Sequence, residues 1–344
     1  MISCKHNFKL YSEKEEKYLI SVNIINGKTP EDHKIYSVWC NYDHYEKFGE
    51  FNTKVWIKNE KGKLISTLLG HKKNINSALF SDDGKYIVTA CYHGTVRVSL
   101  TESGTCIHSF APEKYYGNSV RSISMSKNIL VIGDTELNAT LWDINTGEKI
   151  NVINNWSNIG GSIIVSISDD LTKLAIGGNN GVIIIYESGD KFKNYKKIIR
   201  NEKYHSSLVT SIKFSNDSKY IFTASFDKTV KIIDIGKNNL IHSFESDSFI
   251  ISLAISKNNS YIIYSNHKAE VYVYNIYTFE LIFQYKLEDH KNIHCVDISS
   301  DGTLIVSGST EKRIVSHQII PHKPLLKMPV TGNIAGGSGG GGGI

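Results

Sequence analysis

LLGHKKNINSALFSDDGKYIVTACYHGTVRVSL, residues 68–100, holds a short polar turn between two alternating apolar runs, and its rhythm returns at residues 287–319 as LEDHKNIHCVDISSDGTLIVSGSTEKRIVSHQI. Fainter copies lie between. A fixed period decides the architecture before any single element does. The polar turns read Asn41-Tyr42-Asp43, Ser81-Asp82-Asp83-Gly84, Ser126-Lys127-Asn128, Ser168-Asp169-Asp170, Ser215-Asn216-Asp217-Ser218, Ser256-Lys257-Asn258-Asn259 and Ser299-Ser300-Asp301-Gly302. Their first residues are spaced by 40, 45, 42, 47, 41 and 43 positions, which makes seven units of one length.

Within a unit, the run before the turn (INSALF, VRSISM, VTSIKF, IISLAI, IHCVDI) has the period-two alternation of a half-buried strand. Ser, Asp, Asn and Gly then give hairpin geometry, because short polar side chains bond nearby backbone and glycine accepts positive φ. A second strand follows (KYIVTA, KYIFTA, SYIIYS, TLIVSG), then a third (TVRVSL, ATLWDI, VIIIYE, TVKIID, EVYVYN) and a fourth (TCIHSF, KINVII, NLIHSF, ELIFQY). Four antiparallel strands repeated seven times predict an all-β, seven-bladed β-propeller.

At this point the chain resembles the WD-repeat family, over roughly residues 18–318. In the fifth unit His205 stands four residues before Val209, SNDSKYIFTASFDKTVKIID follows, and Asp227 and Asp234 fall on the family's two acidic positions. The third unit has the name-giving pair as Trp142-Asp143, the second opens on Gly70-His71, and the seventh offers Asp289-His290. EDHK occurs at 31–34 and again at 288–291, which ties the first unit to the seventh. The Trp position is Ser99, Tyr186, Ile233, Tyr274 and His317 elsewhere, and units three, four and six lack a Gly-His pair.

The seventh unit ends after its third strand near His317, where IIPHKPLLKMP brings prolines that lack a ladder donor. The resemblance implies that the N-terminal strand YLISVNII, Tyr18 to Ile25, completes this last blade and closes the ring. An upstream strand, HNFKLY, leaves that register open by one hairpin. The expected organisation is an N-terminal segment, residues 1–17, a propeller over 18–322, and a flexible Gly-rich tail, 323–344, whose few side chains leave little to bury.

Composition narrows the function. With 40% hydrophobic and 21% charged residues, the 344-residue chain reads as globular, and no apolar run is long enough for a membrane span or a secretory signal. The expectation is a cytoplasmic protein. Its five cysteines stand apart without a C-x-x-C pair, so they read as buried thiols instead of zinc ligands or a disulfide framework. Of 39 basic residues, arginine supplies Arg97, Arg121, Arg200 and Arg313 alone, which disfavours sequence-specific nucleic-acid binding and phosphopeptide reading. No His pair has metal-ligand spacing beside a Glu, IGGNNG reads as a hairpin and no phosphate loop, and no cofactor is expected.

His205, Ser225 and Asp227 together have the residue types of a nucleophilic triad. The family resemblance implies instead a structural hydrogen-bond network, with Asp227 in a tight turn accepting from His205. The resemblance also implies a partner-binding rim, formed by the loop entering each first strand and the turn before the acidic position. Carried over by position, the rim is Lys72, Lys73, Asn74, Tyr92, Leu208, Phe226 and Thr310. Tyr92 and Phe226 stand out as large apolar groups at turn tips, with partial burial against a neighbouring blade as the alternative.

The resulting expectation is a non-catalytic scaffold that binds proteins through its top face and blade edges. A narrower alternative is a translation-associated propeller, similar to the small WD-repeat subunit of initiation factor three or to a ribosome-bound scaffold. An enzyme using the central channel is the alternative of another class. It would need converging acids or bases, and Asp297 is the one inner-strand carboxylate that the pattern places.

Overall fold

Period-two alternation commits the chain to strands whose opposite faces pack on two neighbours, and this requirement organises the whole molecule. The computed structural model describes residues 3–7, 17–27, 32–41, 53–110, 119–154, 159–161, 163–201, 204–287, 292–309 and 313–320. Among these, every element is a strand. Strand β1 (Ser3–Asn7) precedes the first blade, β2 (Lys17–Ile25), β3 (Lys34–Asn41), β4 (Thr53–Asn59) and β5 (Leu64–His71). The second blade is β6 (Ile75–Phe80), β7 (Tyr86–Cys91), β8 (Val96–Leu100) and β9 (Cys106–Phe110), and the third is β10 (Val120–Ser126), β11 (Ile129–Asp134), β12 (Ala139–Asp143) and β13 (Lys149–Ile153). The fourth is β14 (Ile164–Ile167), β15 (Lys173–Gly177), β16 (Ile183–Glu187) and β17 (Lys196–Asn201), and the fifth is β18 (Val209–Phe214), β19 (Tyr220–Ser225), β20 (Thr229–Asp234) and β21 (Asn239–Glu245). The sixth is β22 (Ile250–Ile255), β23 (Tyr261–Asn266), β24 (Glu270–Asn275) and β25 (Leu281–Lys286); the seventh is β26 (Ile293–Ile298), β27 (Leu304–Ser309) and β28 (Ile314–Ile320).

Seven antiparallel four-stranded sheets result, and the seventh takes β1 as its outer strand in the order β1-β28-β27-β26. An N-terminal strand therefore closes the propeller, but Tyr18–Ile25 is not that strand. It belongs to β2, the inner strand of the first blade, and the closing strand lies one hairpin upstream at Ser3–Asn7. The physical reason is burial. Inner strands are covered on both faces, and β2 supplies buried Leu19, Val22 and Ile24, whereas the outer position suits the polar SCKHN.

A further expectation about the first blade changes with it. Asn41 ends β3, so Asn41-Tyr42-Asp43 is not the first hairpin of the blade; that hairpin falls between β2 and β3. Of the first EDHK, residues 32–34 lie between β2 and the start of β3, while 288–291 fall outside the described residues. Residues 321–344, which include the expected tail, also lie outside the described residues.

The core sits between blades. Val38, Val55, Ile57 and Leu68 of the first blade pack with Ile75, Ile87 and Cys91 of the second, and Ala175, Ile183 and Ile185 of the fourth pack with Val209, Ile212 and Ile221 of the fifth. Each such side chain contributes about 1.5–3 kcal/mol when fully buried. Close approach dictates a small residue near the end of the second strand. A Cβ on Gly308 would meet Leu19 and Val22 of the first blade, and one on Gly177 would meet Val209 and Ile212 of the fifth.

The inner strand is an edge of its own sheet, so some of its N–H groups need partners from outside that sheet. Neighbouring inner strands provide them. Val165 and Ile167 donate to Ser122 Oγ and Ser124 Oγ at 2.9 and 3.1 Å, Val296 donates to Ser252 Oγ at 3.3 Å, and Ile24 donates to Asp297 Oδ2 at 2.8 Å. The serines within VRSISM and IISLAI are thus the stitches between blades.

The first hairpin of most blades carries a repeated clip. Ser81 Oγ donates to Asp83 Oδ1 at 2.6 Å and accepts from Tyr86 N–H at 2.9 Å, and the same pairing joins Ser168 to Asp170, Ser215 to Asp217, Ser256 to Asn258 and Ser299 to Asp301. Burial opposes ionisation of Asp170, but hydrogen bonds from Ser168 and Thr172 outweigh it and bring the carboxyl down to about 2. One clip crosses the ring. Lys257 of the sixth blade reaches Asp82 of the second at 2.7 Å and Asp169 of the fourth at 3.7 Å, spanning the lower mouth of the central channel. These groups are partly exposed, so Lys257→Ala is expected to lower stability by no more than about 1 kcal/mol. Urea unfolding checks this, and a loss several times larger would show that the lower mouth organises the ring.

Candidate functional site

The upper face is built from two kinds of segment: the loop entering each inner strand and the turn between second and third strands. A recurring backbone bond ties them together. Tyr92 N–H donates to Asn74 O at 3.1 Å, Thr135 to Ser119 O at 3.0 Å, Phe226 to Leu208 O at 2.9 Å and His267 to Phe249 O at 2.9 Å. Asn74 and Leu208 therefore act through backbone carbonyls that hold the turns carrying Tyr92 and Phe226. Lys72 is exposed and Lys73 is half-buried in the same loop. Thr310 lies outside the described residues.

The fifth blade has the fullest side-chain version of this tie. His205 is buried in the entering loop; its Nδ1 meets Asp227 Oδ2 at 2.8 Å and its Nε2 meets Thr223 Oγ1 at 2.8 Å. Asp227 also accepts from Ser206 N–H at 3.1 Å, Thr229 N–H at 3.0 Å and Thr229 Oγ1 at 2.7 Å. Burial disfavours the charged carboxylate, yet the bonds from His205 and Thr229 dominate and hold the Asp227 carboxyl well below its ordinary value. Ser225 is close by but faces elsewhere. Its hydroxyl donates to Ser207 O at 3.1 Å and accepts Asp227 N–H at 3.0 Å, so His205 and Ser225 do not form the bond that a nucleophile and its base require.

The second blade keeps half of this arrangement. His71 Nε2 meets Thr89 Oγ1 at 2.8 Å, but His93 stands where the fifth blade has Asp227, and His71 Nδ1 is buried without a hydrogen bond. Arg97 instead donates to Gly70 O at 2.9 Å. Burial, and then the Arg97 charge, push His71 down to about 3, so the imidazole is neutral at physiological pH.

Apolar groups rise from this face at two places. Tyr92 is 52% exposed at its turn tip. Phe226 is half-buried, stacked on Phe249 with ring centroids 5.2 Å apart, and Phe249 is 45% exposed with its ring edge-on to His267. Phe249 was not among the residues carried over from the sequence, because the sixth unit lacks the Gly-His pair that marks its loop. Its signal was a large apolar residue just before the strand IISLAI. Thr223 and Thr229 were also missed, although a threonine in the otherwise apolar YIFTAS and YIVTAC marks the partner of each loop histidine.

The channel wall supplies little reactive chemistry. Asp297 is the inner-strand carboxylate, and burial raises its pKa despite the bond from Ile24 N–H. Among the described residues no three His, Cys, Asp or Glu side chains are placed to hold a metal ion, and no helix is long and apolar enough to cross a membrane. Cys40 and Cys295 are thiols that burial pushes up to about 11 and about 12, far from thiolate reactivity at neutral pH.

The family model described as "WD domain, G-beta repeat" matches residues 62–98, 196–234 and 282–315. The chain is a WD-repeat β-propeller. Each matched segment runs from the outer strand of one blade through three strands of the next, so the sequence repeat is offset from the blade. This offset is why the last WD repeat ends at the third strand and an N-terminal strand must complete its blade. Trp142 of the name-giving pair packs half-buried on Phe110 at 4.3 Å, and Asp143 accepts from Asn128 Nδ2 at 2.7 Å.

Among curated proteins, the propeller is 28% identical to a WD repeat domain-containing protein 83 homolog of Dictyostelium discoideum, over 34% of this chain and 35% of that one. It is 24% identical to eukaryotic translation initiation factor 3 subunit I of Candida glabrata, over 62% of this chain and 64% of that one. A guanine nucleotide-binding protein subunit beta of Oryza sativa subsp. japonica is 22% identical, over 62% and 59%. The matches thus span from about a third to just under two thirds of these relatives' lengths. A chain in a crystal structure of the mitotic checkpoint complex superposes with a TM-score of 0.71 at 15% identity, covering 92% of this chain and 94% of that one, which is a likeness of fold.

Proposed function

We propose that the protein is a cytoplasmic, non-catalytic scaffold that holds partner proteins on its upper face and blade edges. The observation that carries this reading is the pair of aromatic prominences, Tyr92 on one side of the ring and Phe226 with Phe249 on the other. Rigid aromatic groups at turn tips, fixed from below by backbone bonds, bury large area at low entropic cost and are typical anchors of protein interfaces. Lys72 and Lys73 beside Tyr92 favour acidic partner surfaces, since charge complementarity steers encounter. The WD-repeat relatives support the scaffold class.

The test is affinity capture from a native lysate with the parent and with a Tyr92→Ala, Phe226→Ala, Phe249→Ala triple variant. A defined set of proteins retained by the parent is expected to fall about tenfold or more in the variant. Equal retention would move the interface off these residues. The similarity to translation initiation factor 3 subunit I favours a narrower reading, association with a translation factor or the ribosome. Co-sedimentation with ribosomal subunits at low salt tests it, and its absence there removes it.

A further inference from the structure

Six of the seven inner strands carry a β-bulge at the same place. The pairing register slips between Leu19 and Ser21, Ile75 and Ser77, Val120 and Ser122, Val209 and Ser211, Ile250 and Ser252, and Ile293 and Cys295. The extra residues, Ile20, Asn76, Arg121, Thr210, Ile251 and His294, all line the upper part of the central channel. A bulge frees one side chain from the strand's alternation and re-aims it, and here six of them encircle one mouth. Alternation alone would hide this ring.

We propose that the central channel is a blind cup that takes a small oxyanion, a phosphate- or carboxylate-bearing molecule of metabolite size, through this mouth. Arg121 and His294 are exposed there, and neither has an ion pair or side-chain hydrogen bond among the described residues. Lys213 is exposed one layer deeper, also without an ion pair among them. The guanidinium fork matches two oxygens of an oxyanion, and an ammonium below it adds a point charge.

One buried polar atom fits the same ligand. Thr210 Oγ1 has no hydrogen-bond partner, although Thr210 belongs to the bulge ring. A buried hydroxyl without a partner is costly, and a bound oxyanion would satisfy Thr210 directly. The carboxylate nearest in kind, Asp297, is turned to the backbone by Ile24 N–H and Ile298 N–H at 2.8 and 3.0 Å. The Lys257 bridge to Asp82 and Asp169 spans the opposite mouth and offsets one of the two carboxylate charges there. The channel's volume is about 520 Å³, within the range of small-molecule sites. This inference goes beyond the scaffold reading, because the cup and the aromatic prominences are separate surfaces.

Calorimetric titration of the full chain with inorganic pyrophosphate and with citrate, at constant ionic strength set by potassium chloride, tests it. The variants are Arg121→Gln, Lys213→Gln and, as a control for general basicity, Lys127→Gln in the exposed hairpin on the opposite face. Binding is expected in the parent and in Lys127→Gln, and at least tenfold weaker in Arg121→Gln and Lys213→Gln, with unchanged melting temperatures. Binding of pyrophosphate alone assigns the cup to phosphates, and binding of citrate alone assigns it to carboxylates; both outcomes support the proposal. No binding of either anion, or equal weakening in all three variants, overturns it.

Discussion

Removal of residues 1–16 is expected to destabilise the propeller by about 3–5 kcal/mol and to make it self-associate. Strand β1 pairs five residues with β28, from Ser3 opposite Ile320 to Asn7 opposite Ser316. At about 1 kcal/mol net per backbone bond, losing that ladder accounts for most of the figure. The second effect follows from what is left behind. With β1 gone, β28 becomes an outer strand with unpaired N–H and C=O groups, and its IVSHQII sequence, uncharged and rich in β-branched residues, is suited to recruit another chain. Urea unfolding and sedimentation velocity of the truncated chain measure both effects. A peptide of residues 1–12 added in trans should restore the midpoint and the monomer, because it supplies the missing strand without altering the ring. An unchanged midpoint and a monomeric truncated chain would show that β1 is dispensable.

This closing strand is also where the sequence was hardest to read. Inner and outer strands have the same period, so periodicity places YLISVNII in a strand without saying which of two strands it is. Coverage decides: Leu19 and Val22 fit against the bare backbone of Gly308, a contact between residues almost three hundred positions apart. The first blade was misphased for a related reason. Cys40-Asn41-Tyr42-Asp43 imitates the end of an inner strand, yet Val38 and Cys40 are buried against the second blade as part of a second strand. Five other blades were legible because each Ser-x-Asp or Ser-x-Asn clip fixes the hairpin locally, within five residues of chain, and the third repeats the Ser-x-Asn pattern although Ser126 Oγ donates to Asp169 O of the next blade.

The upper face was legible in outline and not in detail. His205 and Asp227 could be paired from the resemblance, but Ser225 could not be separated from Thr223, since both are small hydroxyl residues on one strand and only the side-chain direction distinguishes them. The bulge ring was invisible for a stronger reason. A bulge is one extra residue in a pairing, and the strings INSALF and VRSISM show no sign of it until their partners are known.

At pH 7, Asp227→Ala is expected to cost about 3 kcal/mol, the upper end for hydrogen bonds to a charged group, because it removes a carboxylate that four donors address and leaves His205 Nδ1 with the longer Thr229 Oγ1 contact at 3.2 Å. The side chain of His205 is fully buried and that of Asp227 is 9% exposed, so water cannot replace the bonds in place. The pH dependence identifies the cause. The folded carboxyl titrates below its ordinary value, so its contribution is complete above an unfolded pKa near 3.9 and is lost as pH falls through the lower, folded value. The gap between parent and variant should therefore be constant from pH 7 to pH 5 and narrower by roughly 1 kcal/mol at pH 3. Asp227→Asn keeps one acceptor oxygen without the charge and should fall between the two. Urea unfolding at the three pH values measures all of this. A gap that stayed the same at pH 3 would mean that Asp227 acts through shape and neutral hydrogen bonds, and that the ionised carboxylate adds nothing to the tie between loop and turn.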